Sequence, residues 1–149
     1  MRILSILVVL FLALACQPKT GAVVGETADN KKEMATLPIP SAWVIKTCAR
    51  NGKSAPAANS KGFIAIRDGQ IGGNSGCNSF GGDWTGSAAK MKVPGVMSTK
   101  MYCEDAASQE QMVFDMLNGT VGTNVSGSTL TMSGSGVTLT LTRNDKLLK

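Results

Sequence analysis

Four cysteines carry most of the reactive chemistry of this 149-residue chain, and they are Cys16, Cys48, Cys77 and Cys103. The chain contains no histidine. A thiol or hydroxyl therefore has no imidazole partner, which excludes Cys–His and Ser–His–Asp catalysis and also excludes His-ligated zinc. No two cysteines have the C-x-x-C spacing of a redox-active pair. We therefore expect modification and cross-linking from these thiols, and neither a metal nor a cofactor.

Cys16 follows an apolar run of 13 residues, 3–15, interrupted only by one serine. The run is too short to span about 30 Å of hydrocarbon and has the length of a signal-peptide core. Residues 12–16 resemble a bacterial lipobox, which predicts removal of signal peptide 1–15 and lipidation of Cys16. Cleavage by ordinary signal peptidase without lipid, or retention of an uncleaved anchor, are the open alternatives. Gln17 replaces the usual inner-membrane retention aspartate, so the resemblance implies an outer membrane lipoprotein facing the periplasm.

The charged residues predict a solvated surface and no catalytic centre. The net charge is +5, aromatic residues make up 5% of the chain, and no basic cluster is denser than Lys31-Lys32. Binding to nucleic acid is therefore not expected. No pair of carboxylates is suited to acid–base catalysis, and Glu104-Asp105 is explained by the start of a helix. Gly72-Gly73 and Gly81-Gly82 lack the Lys-Ser/Thr that completes a phosphate-binding loop. We expect no enzymatic activity.

The elements that must position these residues begin after a polar tether. Residues 16–40 are mostly small and polar and end at Pro38 and Pro40, which predicts a lipidated cysteine on a flexible linker. Residues 41–145 are predicted to form one domain. Eight of its segments are rich in β-formers, alternate between polar and apolar residues, or adjoin turn signals: 42–48, 62–67, 70–74, 79–85, 90–93, 120–125, 129–132 and 137–142.

A single helix is predicted over residues 105–118, with Asp105 as its N-cap and Gly119 just after its end. Short turns between the strands favour antiparallel pairing. The fold class is therefore mainly β (α+β): an antiparallel, partly closed β-barrel-like sheet of seven to nine short strands with one packed helix. The closing hairpin should bury one alternating set of side chains, those of Leu130, Met132, Val137, Leu139 and Leu141.

Two segments followed by the helix resemble the META domain family, which includes the HslJ-like bacterial envelope lipoproteins. The family pattern has G-C-N, an aromatic residue and glycine, and then S-T-x-M-x-C. The resemblance covers about residues 41–143, with Tyr102 where the family usually has alanine. The residues that match the pattern are Gly76, Cys77, Asn78, Phe80, Gly81, Ser98, Thr99, Met101 and Cys103.

The resemblance implies a non-enzymatic envelope lipoprotein with an accessory or binding role in envelope and heat-shock stress. The family's shape is similar to that of lipid-binding pilot lipoproteins, so a carrier of an acyl chain is an alternative. An enzyme using carboxylates or a thiol is a second alternative, weakened by the missing histidine. The expected partners are the membrane, through Cys16, and either an envelope protein or an acyl chain.

The two cysteines within the family motifs, Cys77 and Cys103, are expected to form a disulfide, because an exported protein meets an oxidising compartment. Two free thiols there, or pairing of Cys48 with either of them, are the alternatives. Cys48 is otherwise left as a free, part-buried thiol. For Asn78, a role in a turn or bulge is expected, and an amide that contacts a ligand is the other interpretation.

Overall fold

The computed structural model describes residues 36–149. Within them lie one α-helix, α1 (Ala107–Met116), and two short 3₁₀ helices at Glu104–Ala106 and Asp145–Leu148. Every strand of the described part belongs to one sheet. In chain order the strands are β1 (Ser41–Arg50), β2 (Lys53–Pro56), β3 (Phe63–Arg67), β4 (Gln70–Asn74), β5 (Ser79–Asp83), β6 (Thr85–Ser87), β7 (Lys90–Val93), β8 (Met97–Ser98), β9 (Gly119–Ser126), β10 (Thr129–Gly134) and β11 (Val137–Arg143).

The order of the strands requires the sheet to curl. They run β6-β7-β9-β10-β11-β1-β3-β4-β5-β8, with β2 paired beside β1, and the pairing is antiparallel. β5 lies near one end of this order and β6 lies at the other, yet Trp84 alone separates them in the chain. The sheet must therefore bend until its two ends come together. The partly closed antiparallel fold expected from the sequence is confirmed.

We call the junction of these two ends of the sheet the seam, and Trp84 lies in it. Its side chain is buried, and its indole Nε1 donates to the carbonyl oxygens of Arg67 at 3.0 Å and Gln70 at 3.2 Å. Both acceptors flank the turn between β3 and β4. A tryptophan can bury its apolar ring while its single donor finds a partner. The residue thus packs into the core and hydrogen-bonds to the neighbouring hairpin.

The core fills the inside of the curl. Alternate strand positions point into it, and α1 contributes Val113 and Met116 from one face. The predicted inward side of the closing hairpin is confirmed, because all five of its side chains are at most 1% exposed. The largest fully buried side chains are those of Trp43, Ile45, Ile64, Ile66, Ile71, Met91, Met116, Leu117, Leu130, Met132, Leu139 and Leu141.

Two details differ from the sequence expectations. The described residues hold three more strands than the eight predicted segments, since β2, β6 and β8 have only 4, 3 and 2 residues. β6 and β8 are too short to show a periodicity, and β2 is exposed at every position, so it has no buried side that alternation could reveal. Asp105 does not cap α1 but lies inside the preceding 3₁₀ helix. The Ala106 N–H bonds to the Cys103 carbonyl at 3.1 Å, which delays the α-helix.

The folded domain reaches upstream of Ser41. Leu37 is 5% exposed and belongs to the core cluster, although it falls within the predicted tether. The predicted signal peptide, Cys16 and the tether up to residue 35 lie outside the described residues. In the described part, no helix has the length and apolar character needed to cross a membrane.

Candidate functional site

The two family motifs meet at one end of the sheet. The first spans the connection from β4 to β5, and the second runs from β8 to the 3₁₀ helix before α1. A disulfide joins Cys77 to Cys103 with their Cα atoms 5.9 Å apart, as expected. We call residues 97–103, which run from the start of β8 to this bond, the stapled loop.

The buried side chain of Asn78 forms hydrogen bonds to the stapled loop. It is 1% exposed, and its Oδ1 accepts from the Thr99 hydroxyl at 2.8 Å and the Met101 N–H at 2.7 Å. Its Nδ2 donates to the Met101 carbonyl at 2.9 Å and to the Glu110 carboxylate at 2.9 Å. These four bonds use the two acceptor and two donor positions of an amide. Asn78 is therefore occupied inside the protein and has no free group for a ligand.

Glu110 ties the helix to the first motif. Its Oε2 accepts from the Ser75 hydroxyl at 2.5 Å and from the Asn78 N–H at 3.2 Å, in addition to the amide of Asn78. The ion pairs of the described residues, Arg50–Asp115 and Arg143–Asp145, do not involve it. The carboxylate is thus held by neutral donors, and such bonds to a charged acceptor are stronger than neutral ones. The sequence analysis did not select Glu110. Phe114 lies four residues later on the same face of the helix, and this spacing was the sequence signal that could have identified Glu110 as a packed residue.

Gln109 is a second buried amide, and it forms hydrogen bonds to two separate loops. It is 3% exposed, and its Nε2 donates to the Ser75 carbonyl at 2.6 Å while its Oε1 accepts from the Ala58 N–H at 2.8 Å. The Cys48 thiol lies 3.9 Å from the same oxygen. Gln109 therefore links the loop after β2, the first motif and strand β1. This buried amide was not recognised as a site residue from the sequence.

Cys48 is the free cysteine of the described residues, and it is buried. Burial raises the pKa of its thiol from 9.0 to about 11, because desolvation penalises the thiolate. The thiol is therefore protonated at neutral pH and is a poor nucleophile. Three Cys, Asp or Glu residues placed to hold a metal ion do not occur within residues 36–149.

The glycines of the first motif have different roles. Gly76 has φ +111°, and a Cβ there would lie 2.6 Å from the Gln109 amide nitrogen. Gly81 has no heavy atom within 4 Å of the place where a Cβ would stand. It pairs with Gly72 on one side and Met97 on the other. Gly76 is thus needed for backbone geometry and packing, whereas Gly81 leaves open space on the surface.

That open space belongs to a shallow surface groove of about 340 Å³. Its lining includes Gly72 and Gly81 and the charged residues Arg67 and Asp83. Met97, the first residue of the stapled loop, also lines the groove. The groove is open to solvent, so it can receive only part of a molecule lying across the surface.

The stapled loop exposes large apolar side chains. Met97 and Tyr102 are each 84% exposed, and Met101 is 61% exposed. Ile39, at 36%, is the one other exposed large hydrophobic residue of the described part. Apolar side chains grouped on a surface usually mark a contact with another molecule. The motif residues thus hold a loop rigidly from inside, and the same loop presents apolar groups outside.

The fold and this arrangement define a class of small domain in which one helix is fixed to a curled sheet by a disulfide and a buried polar network. The chain belongs to the META domain family, whose sequence model matches residues 35–146. The family expected from the motifs is confirmed.

Two solved structures share the fold. One NMR structure aligns with a TM-score of 0.56 at 22% sequence identity, covering 72% of this chain and 92% of the other. A second NMR structure, of a protein from Burkholderia xenovorans, has a TM-score of 0.59 at 17% identity and covers 88% of this chain and 99% of the other. A search of curated proteins found no match. At these identities the structural likeness concerns the fold alone.

Proposed function

We propose that this META domain protein is a non-enzymatic lipoprotein of the bacterial cell envelope. A lipid on Cys16 anchors it, by the lipobox resemblance in the outer membrane and facing the periplasm. It acts as an accessory or binding component in envelope and heat-shock stress, which is the role that the family resemblance implies. The stapled loop is its contact surface.

One observation carries the binding role. The polar side chains of the motifs, above all Asn78, form hydrogen bonds inside the protein, while the apolar side chains of Met97, Met101 and Tyr102 remain in solvent. A loop held by buried bonds loses little conformational entropy when it binds. Exposed apolar area on such a loop favours association.

The chemistry of the described residues supports a role without catalysis. The Cys48 thiol is buried and its pKa is raised to about 11, so a reactive thiolate is suppressed. Glu110 accepts bonds from Ser75 and Asn78 and so is committed to structure. These two groups would be the natural candidates for a thiol or carboxylate mechanism. Their environments favour a binding protein over an enzyme.

The packing of the core favours binding at the stapled loop over binding of an acyl chain inside the curled sheet. Large side chains, including those of Trp43, Met91 and Met132, fill the inside of the curl and are fully buried. A second surface groove of about 490 Å³, between β1, β2 and α1, is also open to solvent. An acyl chain needs an enclosed apolar cavity of several hundred Å³. Binding on the outside therefore fits the described residues better.

The anchor is tested first. The full chain and a Cys16→Ser variant are expressed in a diderm bacterium, and membrane and soluble fractions are compared by immunoblotting and intact mass. We expect lipid mass on Cys16 and membrane retention of the parent, with release of the variant. An unmodified Cys16 in the mature parent would contradict the proposal.

The contact surface is tested by complementation of a deletion strain under heat and envelope stress. A Met101→Ser/Tyr102→Ser variant should fail to restore survival, whereas Cys48→Ser should restore it if no thiol chemistry is involved. Ile39→Ser is the matched control for loss of an exposed apolar side chain. Equal protein levels and equal thermal unfolding establish that the variants are folded. Failure of Cys48→Ser alone would instead indicate thiol chemistry.

A further inference from the structure

The stapled loop combines two kinds of side chain suited to the edge of a bilayer. Tyr102 has an apolar ring with a polar hydroxyl, and Met97 and Met101 are flexible and apolar. All three are more than half exposed. Such residues can enter the headgroup and upper acyl region of a membrane while the supporting backbone stays in water.

The same part of the chain is basic. Between Asp83 and Glu104 stand Lys90, Lys92 and Lys100 and no carboxylate, while the exposed carboxylates of Asp83, Glu104 and Asp105 flank this segment. In β7 the lysines are exposed and alternate with the buried Met91 and Val93, so both lysines lie on the outer face of the sheet. Lys100 is exposed as well, so all three lysines are available to an anionic surface.

Strand pairing places the lysines of β7 and the stapled loop along one seam. Lys92 pairs with Thr85, and Met97 pairs with Gly81. Thr85 and Gly81 are four residues apart, on either side of Trp84 and the seam it closes. Because adjacent strands lie about 5 Å apart, Lys92 and Met97 lie on the two sides of the closure of the sheet, with the exposed Asp83 between Gly81 and Thr85 in the chain.

The chain enters the domain beside this surface. Thr36 and Leu37 line a shallow pocket together with Ala88 and Ala89, the turn just before Lys90. Twenty residues separate Cys16 from Leu37. A lipid on Cys16 would hold the bilayer within reach of this side, and tethering raises the effective concentration of the membrane at the lysines and the loop.

We propose that the stapled loop and the lysines Lys90, Lys92 and Lys100 form a docking surface for anionic phospholipid headgroups. This inference deepens the proposed function and rests on it for the presence of a membrane. Lysines attract the headgroups, and Met97, Met101 and Tyr102 insert between them. The domain then lies against the leaflet that carries its anchor. A protein partner would not by itself call for three lysines beside the apolar groups, so a lipid surface is the favoured occupant.

The test uses the mature chain from residue 16 with Cys16→Ser and an intact disulfide, so that no lipid anchor contributes. Vesicles of phosphatidylethanolamine and phosphatidylglycerol are compared with vesicles of phosphatidylcholine alone in a sedimentation assay. We expect binding to the anionic vesicles, weak binding to the neutral ones, and loss of affinity as salt is added.

Lysine variants locate the surface. Lys92→Gln and Lys100→Gln should each lower the affinity for anionic vesicles about fivefold, the usual effect of one basic residue near such a membrane. Lys53→Gln is the matched control, because Lys53 is exposed on β2, which pairs beside β1. It should change the affinity less than about twofold.

Loop variants test insertion. Met101→Ser/Tyr102→Ser should lower affinity by about tenfold or more, since it removes apolar area from the contact, and Ile39→Ser should have little effect. In a Tyr102→Trp variant, binding should shift the added fluorescence to shorter wavelength, and brominated acyl chains should quench it. Trp43 and Trp84 are buried and provide a constant background.

The proposal is overturned by absence of binding to anionic vesicles, by equal binding to neutral vesicles, or by loop variants that bind like the parent. Loop-dependent capture of a protein without vesicle binding also overturns it, in favour of a protein partner. Because this assay uses a chain without lipid, its failure leaves anchoring by Cys16 standing. An unmodified Cys16 in cells would in turn leave the vesicle result intact.

Discussion

Asn78 and Met101 are joined by two hydrogen bonds that run in opposite directions. The Asn78 Oδ1 accepts from the Met101 N–H at 2.7 Å, and the Asn78 Nδ2 donates to the Met101 carbonyl at 2.9 Å. The buried amide thus pairs with the Met101 backbone as a neighbouring strand would. It fixes a residue whose own side chain is 61% exposed. The family motif therefore couples a buried polar centre to an exposed apolar loop.

Asn78→Ala should destabilise the domain by about 2–4 kcal/mol, because it removes the partner of the Met101 N–H and carbonyl and one of the donors to the Glu110 carboxylate. Unfolding in urea, followed by fluorescence, measures the loss. Ser79→Ala is the matched control, since Ser79 is exposed, and should change stability by less than about 0.5 kcal/mol. Equal effects of the two variants would show that the amide network contributes little.

Reduction of the Cys77–Cys103 bond should lower the free energy of unfolding by about 3–4 kcal/mol, the loop-closure value for cysteines 26 positions apart. Urea unfolding with and without reductant measures the difference. A Cys77→Ser/Cys103→Ser variant should be insensitive to reductant. Non-reducing peptide mapping should find Cys48 as a free thiol, and a cross-linked peptide that contains Cys48 would refute the pairing.

Cys48 should make stability fall as pH rises from 9.0 to about 11. In that window the unfolded thiol ionises while burial keeps the folded thiol protonated, so unfolding releases a proton. Below pH 9.0 both states are protonated and this thiol adds no pH dependence. Urea unfolding across the window should show a steeper decline for the parent than for Cys48→Ala. A thiol reagent at neutral pH should label Cys48 only after unfolding, and rapid labelling of the folded protein would contradict its burial.

Two glycines on adjacent strands should differ widely in the stability lost on substitution by alanine. Gly73→Ala should cost about 3 kcal/mol or more, because φ is +151° and a Cβ would overlap the Phe63 carbonyl oxygen. Gly81→Ala should change stability by less than about 1 kcal/mol, since its Cβ would meet open space. Thermal unfolding of the two variants compares them directly. A large loss for Gly81→Ala would show that a Cβ at this position meets neighbouring atoms in the surface groove.

The sequence alone determined the features that depend on neighbouring residues. Alternation at Leu130 and Met132 predicts which face of the closing hairpin is buried, because side chains in a strand alternate between faces. The apolar spacing that includes Val113 and Met116 predicts the helix in the same local way. The ordered motifs around Cys77 and Cys103 indicated the family.

Tertiary structure alone decided the features that join distant parts of the chain. Closure of the sheet depends on Trp84 lying between strands from opposite ends of the strand order. The contact of Glu110 with Asn78 bridges 32 positions, and neither residue's local pattern specifies the other. The exposure of Met101 and Tyr102 could not be derived either, because an apolar residue in a loop is buried or exposed according to what packs over it. Local periodicity thus specifies elements, whereas long-range packing determines which polar groups meet and which apolar groups face the solvent.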